Sequence, residues 1–542
     1  MVRMGKLYYN GKIITMAETL ASDRMEPEAV YVSDGLIKKV GSLELISKNL
    51  SDNTEFIDLQ GQCLMPAFID AHSHIVMNGQ MSLTADLSEC SSFDDIIIKL
   101  KQYIAKQNLT SRDVVVGYGY DHNFLEEQHH PHKHILDQAD KSIPIMIMHI
   151  SGHLCCVNSV LLEMAGINDK TENPLGGHIG RIDNSNEPNG YLEESALGLV
   201  QPIIQSRFKV SLNSIVDKMQ DIYIKNGITT VQDGATTSDD LFFLKNIAKA
   251  NQLKVDVVCY PLISAIDASL IAQNKKFDNQ YSGHLKIGGY KIILDGSPQG
   301  KSAWLSKPYE GESQYCGYPC FNDNDVERYI TQSINEGKQI LAHCNGDAAS
   351  EQFLNIYEKC LQKTNSTLNL RPVMIHCQTV RKDQLERMAK LNMIASFFVG
   401  HVWYWGDIHL KNLGSQRGMY ICPVKDAINF GVCVNFHQDT PVTKPNMLQS
   451  VWCAVNRISR SGKTIGKDQK ISVYDALKAV TINAAYEYFE ENEKGSIEEG
   501  KIADLVILSD SPLDIDMDKI KDIQVNETIK NGTTIFRLDH NC

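Results

Sequence analysis

The stretch Pro66-Ala67-Phe68-Ile69-Asp70-Ala71-His72-Ser73-His74 ends a short apolar run in two histidines one residue apart. On extended backbone, residues i and i+2 project to the same side. Both imidazoles can therefore reach one ion, and imidazole suits zinc and related divalent metals. A His-x-His pair also occurs at ordinary surface strand ends, so the weight falls on its companions elsewhere in the chain.

Working outward, short apolar runs alternate with helix-like stretches, the pattern of parallel β/α units. Eight candidate strands lie near residues 63–71, 229–232, 255–260, 289–294, 339–342, 372–375, 393–397 and 431–436. They predict an α/β fold, a (β/α)8 TIM barrel over 63–493. In that fold, residues at the C-terminal strand ends carry the chemistry. His343 follows the fifth run, His376 the sixth and Asp439 the eighth, while Lys291 lies in the fourth. Several apolar strands that each end in a ligand-type side chain form a far less accidental pattern than one histidine pair.

The distance between the first two runs is too long for one crossover helix. Residues 111–200 are expected to be an inserted subdomain or lid. Both ends of the chain read as strands and turns. Lys6-Leu7-Tyr8-Tyr9 meets Asn10-Gly11, a hairpin dipeptide, before Lys12-Ile13-Ile14. Asp34-Gly35 and Asn531-Gly532 give the same signal between strand-like runs. One β-sandwich built from 1–62 and 494–542 is the expectation.

The chain has 542 residues, more than one ordinary core holds, with 43% hydrophobic residues. Lys plus Arg number 53 against 66 Asp plus Glu, a net charge of −13. That balance repels phosphate backbones and disfavours a nucleic-acid partner. No run approaches the roughly 20 apolar residues of a membrane helix. The opening residues, Met1-Val2-Arg3-Met4-Gly5-Lys6, lead into a strand-like run with no apolar signal core. The 14 cysteines form no Cys-x-x-Cys pair, and adjacent Cys155-Cys156 suit neither a disulfide nor a metal clip. Reduced thiols in a cytoplasmic protein are expected. The expected partner is a small-molecule substrate; a homodimer is the assembly considered, and the sequence leaves the oligomeric state open.

The chain resembles the amidohydrolase superfamily, in the branch that includes N-substituted formamide deformylase and the YtcJ-like proteins. The resemblance runs through the His72/His74 element, Ser151-Gly152-His153…Val157-Asn158-Ser159 and Gly190-Tyr191-Leu192-Glu193-Glu194. It continues through Lys291…Asp295-Gly296-Ser297, His343…Gly346-Asp347-Ala348, Ile375-His376-Cys377-Gln378 and Asp439-Thr440-Pro441-Val442. The tail Gly495-Ser496-Ile497-Glu498-Glu499-Gly500-Lys501-Ile502-Ala503-Asp504 resembles the family's return into its sandwich.

The resemblance implies a metal-dependent hydrolase acting on a non-peptide C–N bond, with one or two divalent ions, zinc foremost. It implies His72 and His74 as ligands of one metal and His343 and His376 as ligands of a second. Lys291 matches a strand-four lysine that is often carboxylated and bridges two metals. An ammonium cannot bind a dication, whereas a carboxylated lysine offers two anionic oxygens. Asp439 contacts the first metal and shuttles the proton. Two departures stand out: Ile375 replaces the glutamate usual before the strand-six histidine, and Gln438 replaces the serine usual before the aspartate.

Five further residues are candidates for substrate contact: His153, Glu194, His401, Trp403 and His437. Each has a plainer reading as packing or surface. The tract His129-His130-Pro131-His132-Lys133-His134 is broken by proline and reads as a polar loop, with adventitious metal as the alternative. Deamination, lactone hydrolysis and isomerisation fit the same scaffold, as does a non-catalytic small-molecule-binding protein.

Overall fold

The computed structural model describes residues 5–17, 26–48, 50–51, 53–174, 177–208 and 212–539. Residues 1–4 of the opening run lie outside them. The chain divides into two compact units, Met1–Ile75 with Gln220–Cys542, and Val76–Met219.

The larger unit contains two all-parallel sheets. One orders Phe68–Ile69, Ile228–Thr236, Asp256–Pro261 and Leu285–Ile287. The other orders Gly289–Ile293, Gln339–Cys344, Val373–His376, Ile394–Phe397 and Val434–Phe436. These strands are buried nearly throughout, which is why most of them read as largely apolar runs; Ile228–Thr236, with buried Thr229, Thr230, Gln232 and Asp233, is the exception. Hydrogen bonds join the two sheets at both flanks: Ile263 N donates to Lys291 O at 2.9 Å, and His74 N donates to Thr440 O at 2.8 Å. The helices between strands start at side-chain caps. Thr237 and Asp240 form a capping box for Ser238–Lys249, and Asn322 accepts from Asp325 N ahead of Asp323–Asn335.

The two chain ends meet in a separate sheet. Lys12–Ile13, Cys63–Pro66, Leu505–Leu508, Val525–Lys530 and Thr533–Arg537 are successive neighbours. A second sheet orders Leu36–Gly41, Ala29–Ser33, Lys6–Tyr9 and Glu55–Asp58. Tyr8, Val30 and Ile37 share one apolar cluster with Leu64, Leu505 and Ile529.

Two sequence expectations change here. The first candidate run, 63–71, is two strands: Cys63–Pro66 pairs with Leu505–Leu508, and only Phe68–Ile69 pairs with Ile228–Thr236. Pro66 and Ala67 carry the chain from one sheet to the other. The Asn10-Gly11 hairpin does not form. Lys6–Tyr9 pairs with Ala29–Ser33, whereas Lys12–Ile13 runs parallel to Cys63–Leu64. Asn10 still turns at φ 59°, but the turn transfers the chain between sheets. Gly11 lies so close to its partner that a Cβ there would sit 2.4 Å from Gln62 O.

The Val76–Met219 unit runs wider than residues 111–200. Its sheet orders Gly177–Arg181, Pro188–Glu194, Leu154–Val157, Ile145–His149, Val115–Tyr120 and Ala85–Asp86. Alternate residues feed opposite faces: Val115, Ile145, Ile147 and Cys156 enter one cluster, and Val116, Met146, Cys155 and Val157 the other. Among the described residues, no helix is long and apolar enough to cross a membrane. The described cysteines are free thiols, most of them buried.

Candidate metal centre

In the larger unit the parallel strands deliver their terminal side chains to one place. His72 and His74 follow Phe68–Ile69, and Asp439 follows Val434–Phe436. Asp439 N donates to His72 O at 3.2 Å, which ties those two strand ends together. Asp439 Oδ1 lies 3.4 Å from His72 Nε2 and 3.2 Å from His74 Nε2. The three ligand atoms fall within 4.8 Å of one another. Asp439 Oδ1 is buried and has no hydrogen-bond partner. Ligands at about 2.0–2.1 Å from a tetrahedral ion are roughly 3.3–3.4 Å apart. The donor set, the spacing and the orphaned carboxylate oxygen all fit a divalent cation.

His343 ends near His376, with ring centroids 4.4 Å apart, and His376 lies 5.8 Å from the His72 ring. Lys291 is buried among them, its Nζ 3.3 Å from His72 Nε2. The structure thus groups His72, His74 and Asp439 most tightly, with His343, His376 and Lys291 alongside.

Each inner imidazole is held through its Nδ1. Gln232 Oε1 lies 2.5 Å from His72 Nδ1. The Gln232 amide nitrogen donates to Ala71 O at 2.7 Å, so its oxygen must face the imidazole. Asp295 Oδ1 lies 3.1 Å from His343 Nδ1. His437 Nε2 lies 3.2 Å from His376 Nδ1, and its own Nδ1 meets Ser396 Oγ at 2.9 Å. With Nδ1 protonated in the three rings, all three Nε2 lone pairs remain for a metal.

The electrostatics agree. Burial, reinforced by Lys291, holds His72 well below the usual imidazole range, and burial with His343 does the same for His376. Burial pushes the Asp439 carboxyl up, but the imidazoles of His74, His376 and His72 outweigh it and hold the group well below the carboxylate range. Neutral imidazoles around an ionised carboxylate are the forms that bind metal. Burial draws the Lys291 ammonium down to about 8.

The remaining candidates occupy different places. His437 packs directly behind His376. His401 opens the His401–Gly418 helix, with its Nδ1 2.9 Å from His409 Nε2 and its ring against Phe398. Trp403 packs edge-on to Trp452, beneath Lys521. His153 and Glu194 belong to the Val76–Met219 unit, where His153 Nδ1 meets Glu194 Oε1 at 3.1 Å.

Sequence reasoning assigned no role to Gln232 or Glu487, and quoted Asp295 within the Lys291…Asp295-Gly296-Ser297 element without giving it one. Asp295 also accepts from Asn345 N at 3.0 Å and Gly346 N at 2.7 Å. Its position two residues past a buried strand was the available signal. Glu487, pushed up to about 8 by burial, accepts from Asn435 Nδ2 at 2.6 Å and lies 3.3 Å from Gln232 Nε2. It sits on a helix remote in sequence, and no local pattern marks it.

This chain belongs to the amidohydrolase family, whose model matches residues 55–536. It is 29% identical to the amidohydrolase-type YtcJ protein of Bacillus subtilis (strain 168), over 98% of this chain and 99% of that one. It is 25% identical to N-substituted formamide deformylase of Arthrobacter pascens, over 93% of this chain and 94% of the relative. The fold is shared with the crystal structure of an uncharacterized metal-dependent hydrolase from Pyrococcus horikoshii OT3. That match has a TM-score of 0.75 at 23% identity and covers 95% of this chain and 99% of the other.

Proposed function

We propose that this protein is a metal-dependent hydrolase that cleaves a non-peptide C–N bond, of the amide or formamide type, in a small molecule. The observation that carries the reading is the buried, unpartnered Asp439 Oδ1 facing His72 Nε2 and His74 Nε2. His72, His74 and Asp439 would hold one divalent ion, zinc foremost, with His343 and His376 as the ligands of a second. A divalent metal bound there supplies Lewis acidity, drawing the pKa of water from 15.7 toward roughly 7 and polarising a carbonyl.

The chain's own residues do the rest. Asp439, ionised and with its Oδ1 buried, would accept the proton of the attacking water and return it to the departing nitrogen. An amine leaves poorly unless protonated, so one carboxylate acting as base and then acid serves both halves of the reaction. Gln232, Asp295 and His437 keep three imidazoles in one tautomer and orientation. Burial, which draws Lys291 down to about 8, favours its neutral amine over the ammonium. Such an amine adds to carbon dioxide with loss of a proton, giving a carboxylated lysine whose anionic oxygens would serve as metal ligands.

The architecture read with this function is a (β/α)8 barrel closed from the two parallel sheets. A β-sandwich from both termini and the Val76–Met219 unit as an insertion complete it. A cytoplasmic location accords with the free cysteines, and a homodimer is the assembly to test.

The test is metal content by mass spectrometry together with turnover on a panel of N-substituted formamides, other amides, amino-heterocycles and lactones. Zinc-dependent release of amine from a formamide or amide is the expected result. Activity confined to lactones or to ring deamination would move the protein to the corresponding class. Stoichiometric metal without any turnover would favour a binding protein.

A further inference from the structure

The Val76–Met219 unit builds a second cluster of ligand-type side chains by the same strand-end construction. Val115–Tyr120 and Ile145–His149 are neighbouring parallel strands, and their register sets Tyr120 beside His149. Asp121 and His122 therefore follow the C-terminal end of one strand, and His149 closes the other. His122 Nδ1 lies 3.1 Å from His149 Nε2. His149 Nε2 lies 3.4 Å from Asp121 Oδ1, and His122 Nδ1 lies 3.8 Å from it. A tetrahedral ion with ligands at about 2.0–2.1 Å requires separations of roughly 3.3–3.4 Å. The three distances bracket that value without any movement of the backbone.

We propose that Asp121, His122 and His149 form a further divalent-metal site, suited to a zinc-type ion, within the Val76–Met219 unit. Two imidazoles and a carboxylate are a donor set of the right hardness for zinc or cobalt. The site is also prepared for a cation. Asp121 is 4% exposed and His149 2%. Asn123 holds the carboxylate in place, donating to Asp121 Oδ1 from its backbone N and its Nδ2, each at 2.9 Å. The His130 ring lies 4.1 Å from the His122 ring and supports it from the side.

The His122–His149 contact needs a proton between two nitrogens. Because His149 Nδ1 accepts from Ser151 N at 3.1 Å, the proton of that contact is on His149 Nε2. A dication in its place is attracted to both nitrogens and to the carboxylate together. With a metal bound, His149 Nδ1 would carry the proton and donate to Ser151 Oγ, 2.9 Å away, giving up the hydrogen bond it accepts from Ser151 N. Three protein ligands leave a fourth position for solvent or a ligand atom. The site shares no residue with the His72/His74/Asp439 centre and stands or falls independently of the hydrolase reading.

The test uses the full-length protein, stripped with a chelator, reloaded with Zn2+ and dialysed. Zinc per chain is then counted by mass spectrometry, with circular dichroism to confirm the fold. His122→Gln should bind one zinc fewer than wild type, whereas the double variant His129→Gln/His132→Gln should match wild type. Anomalous scattering at the zinc edge should show a peak between Asp121, His122 and His149 in the wild-type crystal, a readout that does not depend on any variant folding. An unchanged zinc count in folded His122→Gln would overturn the proposal. So would a zinc lost with the His129/His132 variant instead, which means an adventitious ion only, or a flat anomalous map at the three atoms.

Discussion

Replacing Gln232 with methionine keeps the length of the side chain and removes every polar atom that holds His72. In the native protein the amide oxygen takes the proton of His72 Nδ1 at 2.5 Å, and the amide nitrogen is anchored on Ala71 O at 2.7 Å and Tyr488 OH at 3.2 Å. Two losses follow. Without its acceptor, the ring is free to place the proton on Nε2, which removes the lone pair a metal needs. Loss of such an orienting partner lowers metal affinity about 10–100-fold, or roughly 1.4–2.7 kcal/mol. Ala71 O and His72 Nδ1 are also left buried and unpaired, at about 1–3 kcal/mol of folding stability each. Gln232→Glu separates the two losses. Its carboxylate still accepts from Nδ1, so zinc affinity should exceed that of the methionine variant. It cannot donate to Ala71 O, and it faces Glu487, so stability should still fall.

The assay is zinc competition against a chromophoric chelator, with urea unfolding of the metal-free proteins alongside. A folded Gln232→Met protein with native zinc affinity would refute the argument that Gln232 sets the His72 tautomer.

Three other outcomes are expected. Asp439→Asn should remain folded and metal-loaded yet lose about 10²–10⁴-fold in turnover on whichever substrate screening identifies, since an amide cannot take the proton; full activity would remove Asp439 from the mechanism. Asp256→Asn should destabilise the fold by about 3–5 kcal/mol in urea titration, because Lys494 Nζ and Lys530 Nζ, 2.6 and 2.5 Å from Asp256 Oδ2, would lose a shared buried counter-charge; an unchanged midpoint would mean that neighbouring carboxylates suffice. Burial holds His409 down at about 3, so below roughly 6.5 the unfolded chain takes up a proton that the folded imidazole refuses, and stability falls with pH at about 1.4 kcal/mol per unit for this group. His409→Gln should flatten that slope by about one proton between pH 6 and 4, read as the pH dependence of urea stability.

Strand positions were legible because parallel strands buried on both faces need nothing but apolar residues, and every one of the eight runs contains a strand. What the runs could not reveal was their partner. Cys63–Pro66 and Phe68–Ile69 are equally apolar, yet the first pairs with the C-terminal Leu505–Leu508. The Asn-Gly turns show the same limit. Asn531-Gly532 closes a true hairpin between Val525–Lys530 and Thr533–Arg537, whereas Asn10-Gly11 hands the chain to another sheet. The dipeptide specifies left-handed backbone at its asparagine in both cases, φ 49° and 59°. Whether the flanking strands then pair depends on which sheet edge is open, a property of residues far away in the chain.

The candidate centre divides along the same line. His72 and His74 after one strand, and His343, His376 and Asp439 at the ends of three others, were visible because each is a ligand-type residue at a strand end, a local pattern repeated across the two parallel sheets. The roles of Gln232, Asp295 and Glu487 were not, because an amide or carboxylate becomes informative only when its partner is known. Gln232 lies in the middle of Ile228–Thr236, and a buried glutamine within a strand carries no chemistry alone. Its meaning arises from the 160 residues that separate it from His72 in sequence and the 2.5 Å that separate them in space. The residue types that could bind a metal are therefore readable one at a time, while the hydrogen bonds that choose which nitrogen does so belong to pairs. It follows that a substitution at Gln232 should alter metal affinity without altering any recognisable motif, and that a chain can keep every ligand of this pattern and still lose the centre.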